Sequence, residues 1–207
     1  MHEDTDRESG VGATGAQPGK RLRADAQRST DALLKAAAEV FATSGVDAPV
    51  RQITAKAGVG AGTLYRHFPQ RSDLIAAVFR NEVDACADAA APLAARYEPV
   101  EALARWLQRF AVFIGTKRGL GAALHSGDRA YETLPGYFQQ RFEPALGSLL
   151  DTAAQAGEIR SDITPDDLLR ATGNLATPAH DDGEGHTRRM VELLVDGLRF
   201  GARPRGN

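Results

Sequence analysis

The chain has 207 residues, 43% of them apolar and 25% charged, enough to bury one substantial core or two small ones and too apolar to be disordered throughout. Alanine abounds, while β-branched and aromatic residues form few alternating runs, which favours helix and argues against a sheet. The net charge of −2 conceals an asymmetry: residues 1–20 carry two basic and four acidic groups, residues 21–71 eight and four, and residues 72–207 fifteen and nineteen. A basic stretch of about 50 residues on an acidic body is the layout of a chain that meets a polyanion with one end, although chance clustering at this size gives the same pattern. A single cysteine, Cys86, excludes an intramolecular disulfide and fits a reducing compartment. No apolar run approaches the ~20 residues of a membrane span, and the polar, glycine-rich start lacks the apolar core of a signal peptide. A cytoplasmic protein without membrane contact is expected.

In chain order, residues 1–20 lack large apolar side chains apart from Met1 and Val11 and read as a mobile tail. From Arg23 to Ser44, Leu33, Leu34, Ala37, Val40 and Phe41 share one helical face, and Gly45 stops the helix. A short second helix spans Val50 to Ala57, with Pro49 before it in place of a Ser/Thr cap. Gly58-Val59-Gly60 breaks the chain, and Ala61 to Phe68 makes two turns of a third helix. Pro69 interrupts; Ser72 and Asp73 then open a fourth helix carrying Leu74, Ile75, Val78, Phe79 and Val83. A second helical block follows. Pro99 precedes a helix with Val100, Leu103, Leu107, Phe110 and Ile114 in register, and Gly119 to His125 is a shorter piece. Tyr131 to Ala156 reads as a long helix bent at Pro135 or Pro144, closed by Gly157. Thr164-Pro165 opens a helix to about Leu175, residues 180–185 are a loop, and Thr187 to Phe200 is a last helix with a broad apolar stripe over Met190, Val191, Leu194, Val195 and Leu198. The expected architecture is all-α, about nine helices: a tail (1–20), a small N-terminal block (21–70) and a larger one (71–207).

The stretch Ala57 to Phe68, AGVGAGTLYRHF, carries the chemistry. Its glycines suggest a phosphate-cradling loop, but a dinucleotide fingerprint needs G-x-G-x-x-G after a strand and a Walker loop needs G-x-x-x-x-G-K-[ST]. Here the spacing is Gly-x-Gly-x-Gly and a helix precedes it, so no nucleotide cofactor is expected. A helix-turn-helix accounts for every position. Gly58 supplies a positive φ for the turn. Gly60, Ala61, Gly62 and Thr63 keep the start of the second helix small enough to approach a major groove. Leu64 and Phe68 hold that helix on the core, which leaves Thr63, Tyr65, Arg66 and His67 facing outward.

On these residues the sequence resembles the TetR family of bacterial one-component regulators. The matching run is Val50 to Leu74, VRQITAKAGVGAGTLYRHFPQRSDL, and the likeness extends over residues 23–80. Two positions depart from the family pattern: Gly60 stands where a capping Ser is common, and Pro49 where Ser/Thr precedes the second helix. The resemblance implies that Thr63 and Tyr65 touch phosphate or base edges, that His67 touches a phosphate, and that Arg71 clamps the DNA backbone. Arg51 and Gln52 approach from the second helix. Arg66 points either to DNA or back into the domain. The basic residues of 20–28 reach an adjacent groove or remain a solvated tail.

The resemblance further implies a homodimer on a near-palindromic operator, with its seam on the last two helices, about 165–176 and 187–201. It implies a small-molecule pocket in the C-terminal block among Cys86, Trp106, Phe110, Phe113, His125, Tyr137, Phe138 and Phe142, each of which can equally be core. Their low polarity points to an apolar or aromatic effector. The implied activity is repression relieved by effector, with the helix from Arg71 to Cys86 as lever. Cys86 as a thiol sensor lacks a basic flank, and His180 and His186 beside Asp181 and Asp182 suit a mobile loop better than a metal site. No catalytic constellation is legible, so an enzyme is not expected; the alternatives are a protein-binding helical adaptor without effector and, behind it, a small helical enzyme.

Overall fold

The computed structural model describes residues 18–116, 127–176 and 183–200, and all regular structure among them is helical. Helix α1 spans Pro18–Ser44, α2 Val50–Ala57, α3 Ala61–His67, α4 Arg71–Ala87, α5 Ala90–Arg96 and α6 Pro99–Thr116. A 3₁₀ turn at Arg129–Tyr131 leads into α7 (Leu134–Gln155), followed by α8 (Pro165–Leu175) and α9 (Gly183–Phe200). The piece expected over 119–125 and residues 180–182 of the loop expected over 180–185 lie outside the described residues, while 183–185 belong to α9, which opens at Gly183 rather than Thr187.

Helices α1, α2 and α3 close on one another and on the start of α4. Leu33, Ala37, Phe41, Ile53, Leu64 and Leu74 form their shared interior, each 2% exposed or less. Three differences from the sequence reading have local causes. Helix α1 begins at Pro18, whose fixed φ suits a first turn, rather than near Arg23. Helix α4 begins at Arg71: the Asp73 carboxylate accepts from the Gln70 backbone N–H at 2.9 Å, so Gln70 rather than Ser72 holds the capping position. Helix α5 was not expected, because Ala89-Ala90-Ala91-Pro92 offers no apolar period to read.

Helix α6 is the axis of the second block and packs against α4, α5, α7, α8 and α9. Its Leu103, Trp106 and Leu107 are wholly buried. The Trp106 indole Nε1 donates to the Cys86 carbonyl at 3.0 Å and Arg109 Nη2 to the Ala85 carbonyl at 3.1 Å, which ties α6 to carbonyls of the last turn of α4. The start of α6 is met from the other side, where Glu158 Oε2 accepts from the Val100 N–H at 3.0 Å. Helix α8 opens with a capping box in which Thr164 Oγ1 accepts from the Asp167 N–H and the Asp167 carboxylate accepts from Thr164. No helix among the described residues is long and apolar enough to cross a membrane.

Candidate nucleic-acid interface and effector cleft

Helices α2 and α3 are separated by three residues, Gly58, Val59 and Gly60. Gly58 takes φ 68°, ψ 28°, the left-handed region that side chains with a Cβ disfavour. The Gly58 N–H reaches the Ala55 carbonyl and the Val59 N–H the Thr54 carbonyl, so two of the terminal carbonyls of α2 are closed within the turn. Gly60 is extended (φ −76°, ψ 154°), and its carbonyl accepts from the N–H groups of Thr63 and Leu64, which starts α3. No side chain caps that end, so its remaining N–H groups stay open to an external acceptor.

Leu64 and Phe68 turn inward and are buried, and the remaining positions of α3 form one outward face. Ala61, Gly62, Tyr65 and Arg66 are exposed, with Thr63 and His67 half-buried at its edges. Tyr65 stands 53% exposed, one of four large apolar side chains so placed among the described residues. His67 Nδ1 lies 3.3 Å from the Thr30 hydroxyl on α1, which leaves Nε2 for any further partner. Arg51 and Gln52 are exposed on α2. Arg66 is solvent-facing rather than folded back onto the domain.

Arg71, expected as a phosphate clamp, also has partners inside the fold. Its guanidinium points inward: Nε donates to the Val46 carbonyl at 2.7 Å, and Nη2 donates to both Val46 and Ala48, the latter at 2.6 Å. The same group lies 5.9 Å from the centroid of Phe41. Arg71 therefore ties the start of α4 to the loop between α1 and α2 through Nε and Nη2. Sequence reading missed this because the two carbonyls belong to backbone 23 and 25 residues away. Of the basic residues of 20–28, Arg28 pairs with Asp25 on exposed α1.

In the second block the predicted effector aromatics are mostly core. Trp106 stacks on Phe110 (5.6 Å between centroids, 4° between planes), and Phe142 meets Trp106, Phe110 and Phe113 edge-on at 5.1–5.7 Å. Cys86 is buried. Tyr137 turns to α4 instead, donating its hydroxyl to Asp84 Oδ1 at 2.6 Å. Burial, and secondarily the Asp84 carboxylate, push the Tyr137 phenol above its usual range. Arg141 reaches the same Asp84 oxygen and Asp88, both at 2.6 Å, while Arg80 donates to Thr133 at 2.9 Å. Hydrogen bonds to Asp84 and then Asp88 hold the Arg141 guanidinium above even its ordinary value. None of these polar partners was legible in the sequence.

A cleft of about 310 Å³ opens between α6, α7 and α8, walled by Phe110, Ile114, Pro135, Phe138 and Leu169. Of the predicted pocket residues only Phe110 and Phe138 line it; His125 lies outside the described residues. Four polar side chains of the lining, Gln139, Glu143, Asp166 and Arg170, were not predicted. Among the described residues no cluster of His, Cys, Asp and Glu is placed to hold a metal.

Residues 33–78 match the profile of bacterial regulatory proteins of the tetR family, and residues 98–200 match a transcriptional regulator SbtR-like C-terminal domain. No curated protein is matched. Among solved structures, the TetR transcriptional regulator SCO0520 from Streptomyces coelicolor is 41% identical, with 82% of this chain and 98% of that one covered and a TM-score of 0.72. The TetR transcription regulatory protein from Mycobacterium vanbaalenii is 34% identical over 86% of this chain and 99% of its own, with a TM-score of 0.70.

Proposed function

The chain belongs to the TetR family of DNA-binding transcriptional regulators, which are not enzymes, and from that premise we propose that it is a homodimeric repressor, released from a near-palindromic operator by a small effector bound in its C-terminal block. The observation that carries the DNA reading is the face of α3. A helix that buries Leu64 and Phe68 yet holds Tyr65 and Arg66 in solvent, beside two glycines, presents reach and small bulk together. Thr63, Tyr65, Arg66 and His67 are the proposed contacts on α3, joined by the backbone at Gly60, Ala61 and Gly62 and by Arg51 and Gln52 on α2. Arg71 serves by positioning α4 and the α1–α2 loop.

The dimer seam falls on α8 and α9. On α9, Val191, Val195 and Leu198 are buried inward, while Leu193, Gly197 and Phe200 share an exposed face that a second copy would cover. Release follows from α7, which borders the cleft through Pro135, Phe138 and Glu143 and is tied to α4 through Tyr137 and Arg141. A ligand that displaces α7 thereby moves α4 and the spacing of the two recognition helices, which must match grooves ~34–36 Å apart. A coupling of ~1–3 kcal/mol is typical of such systems.

The test is a fluorescence-anisotropy titration of the protein on the promoter fragment beside its own gene, at several salt concentrations. The wild type is expected to bind with steep salt dependence, and Tyr65→Ala to bind weakly while melting as the wild type does. Absence of binding at low salt, or undiminished binding by Tyr65→Ala, would overturn the reading.

A further inference from the structure

We infer that the cleft between α6, α7 and α8 accepts a ligand with an apolar or aromatic body and a cationic head, the head seated at Glu143; calling that ligand the effector rests on the regulator reading above. The walls set the body. Five apolar side chains wall the cleft: Phe110, 1% exposed and stacked on Trp106, closes its floor, and the half-buried Phe138, 6.0 Å from it at 57°, is the ring a ligand can reach. About 310 Å³ is at the small end of the range for clefts that hold small molecules.

The charge follows from how the rim is paired. Arg170 Nε and Asp166 Oδ2 lie 2.7 Å apart and neutralise each other on the open side, their side chains 76% and 50% exposed. Glu143 is different. Its carboxylate accepts from the neutral Gln139 amide at 2.5 Å and forms no ion pair with any cation among the described residues. Among the described residues the rim thus keeps one negative charge without a cationic partner, beside the aromatic wall. A cation gains from the carboxylate and from the Phe138 ring together, a neutral body gains only the walls, and an anion meets Glu143 with Arg170 of the rim paired to Asp166.

Isothermal titration calorimetry on the full chain with (4-phenylbutyl)trimethylammonium, its sulfonate counterpart and 4-phenylbutanol tests this. The ammonium is expected to bind at least about tenfold tighter than the sulfonate. Glu143→Gln, which keeps the shape and removes the charge, is expected to abolish that advantage while leaving the alcohol within about twofold; Phe138→Ala weakens all three. A sulfonate that binds as tightly as the ammonium, a preference unchanged by Glu143→Gln, or no saturable binding of any probe would overturn the inference. The wild-type ratio decides even where a variant fails to fold. Operator binding by the same preparation without any probe is measured alongside. Charge discrimination in a protein that ignores promoter DNA would sink the regulator reading and leave the ligand class standing.

Discussion

Arg71→Met separates two roles for one residue. In the fold, the guanidinium supplies charge-assisted hydrogen bonds to two carbonyls, Val46 and Ala48, and covers the Phe41 ring. A hydrogen bond to a charged group contributes ~1.5–3 kcal/mol, and Arg71 is only half-buried, so the lower end applies to each. Methionine keeps the stem but leaves both carbonyls without that donor, for an expected loss of about 2–4 kcal/mol. In a chain of this size that lowers the melting temperature by about 5–15 °C. Arg71→Lys should recover only part, because one ammonium lacks the rigid fork that spans two acceptors. Melting by circular dichroism reads the stability, and operator titrations over a salt series read the DNA contacts. A phosphate-clamping Arg71 would give the opposite pattern: an unchanged melt and a salt slope shallower by about one per protomer. That result would refute the structural role.

Gly62→Ala should leave the fold intact or raise its stability by up to about 1 kcal/mol, because a Cβ there meets nothing within 4 Å; the same change should lower operator affinity in the anisotropy assay. Tyr137→Phe and Arg141→Met, which cut α7 from Asp84, should leave operator affinity without ligand within about threefold while reducing the response to any ligand that drives release. Thr164→Ala should cost ~1 kcal/mol by removing the cap of α8, read from urea midpoints. The Thr164 hydroxyl and N–H hold the Asp167 carboxyl below the usual aspartate range. Its contribution is therefore present above the unfolded value and lost as pH falls through the lower folded one, a window below about pH 4 that Asp167→Asn should remove from the acid-unfolding curve.

What the sequence made legible depended on how local the cause was. Helices α2 and α3 lie within a residue of their expected bounds, because Pro49, Gly58, Gly60 and Pro69 punctuate them and each acts on its own backbone. Leu64 and Phe68 pointed inward as their spacing required. The polar seam between α4 and α7 had no such signature: Asp84 meets Tyr137 and Arg141 across 53 and 57 residues, a pairing only the packed helices create. The aromatics of the second block show a third case. Composition marked them as apolar, but whether a phenylalanine is core or wall depends on which neighbours reach it, and Phe142 is enclosed by Trp106, Phe110 and Phe113 while Phe138, one turn earlier, keeps an open edge on the cleft.

The three glycines of the turn divide on the same principle, and the division bears on function. Gly58 is demanded by the fold, since its positive φ strains any side chain. Gly60 and Gly62 are not: both have ordinary φ, and a Cβ on either would sit in open space. Glycine at Gly62 even weakens a helix of seven residues by withholding a better helix former. Gly60 likewise forgoes the side-chain cap that would close an N–H of α3. Both positions lie on the exposed face that carries Tyr65 and Arg66. A residue choice that costs local stability and relieves no internal contact is accounted for by something outside the chain that must come close. At the start of a helix with open N–H groups, a phosphate-bearing groove meets that description.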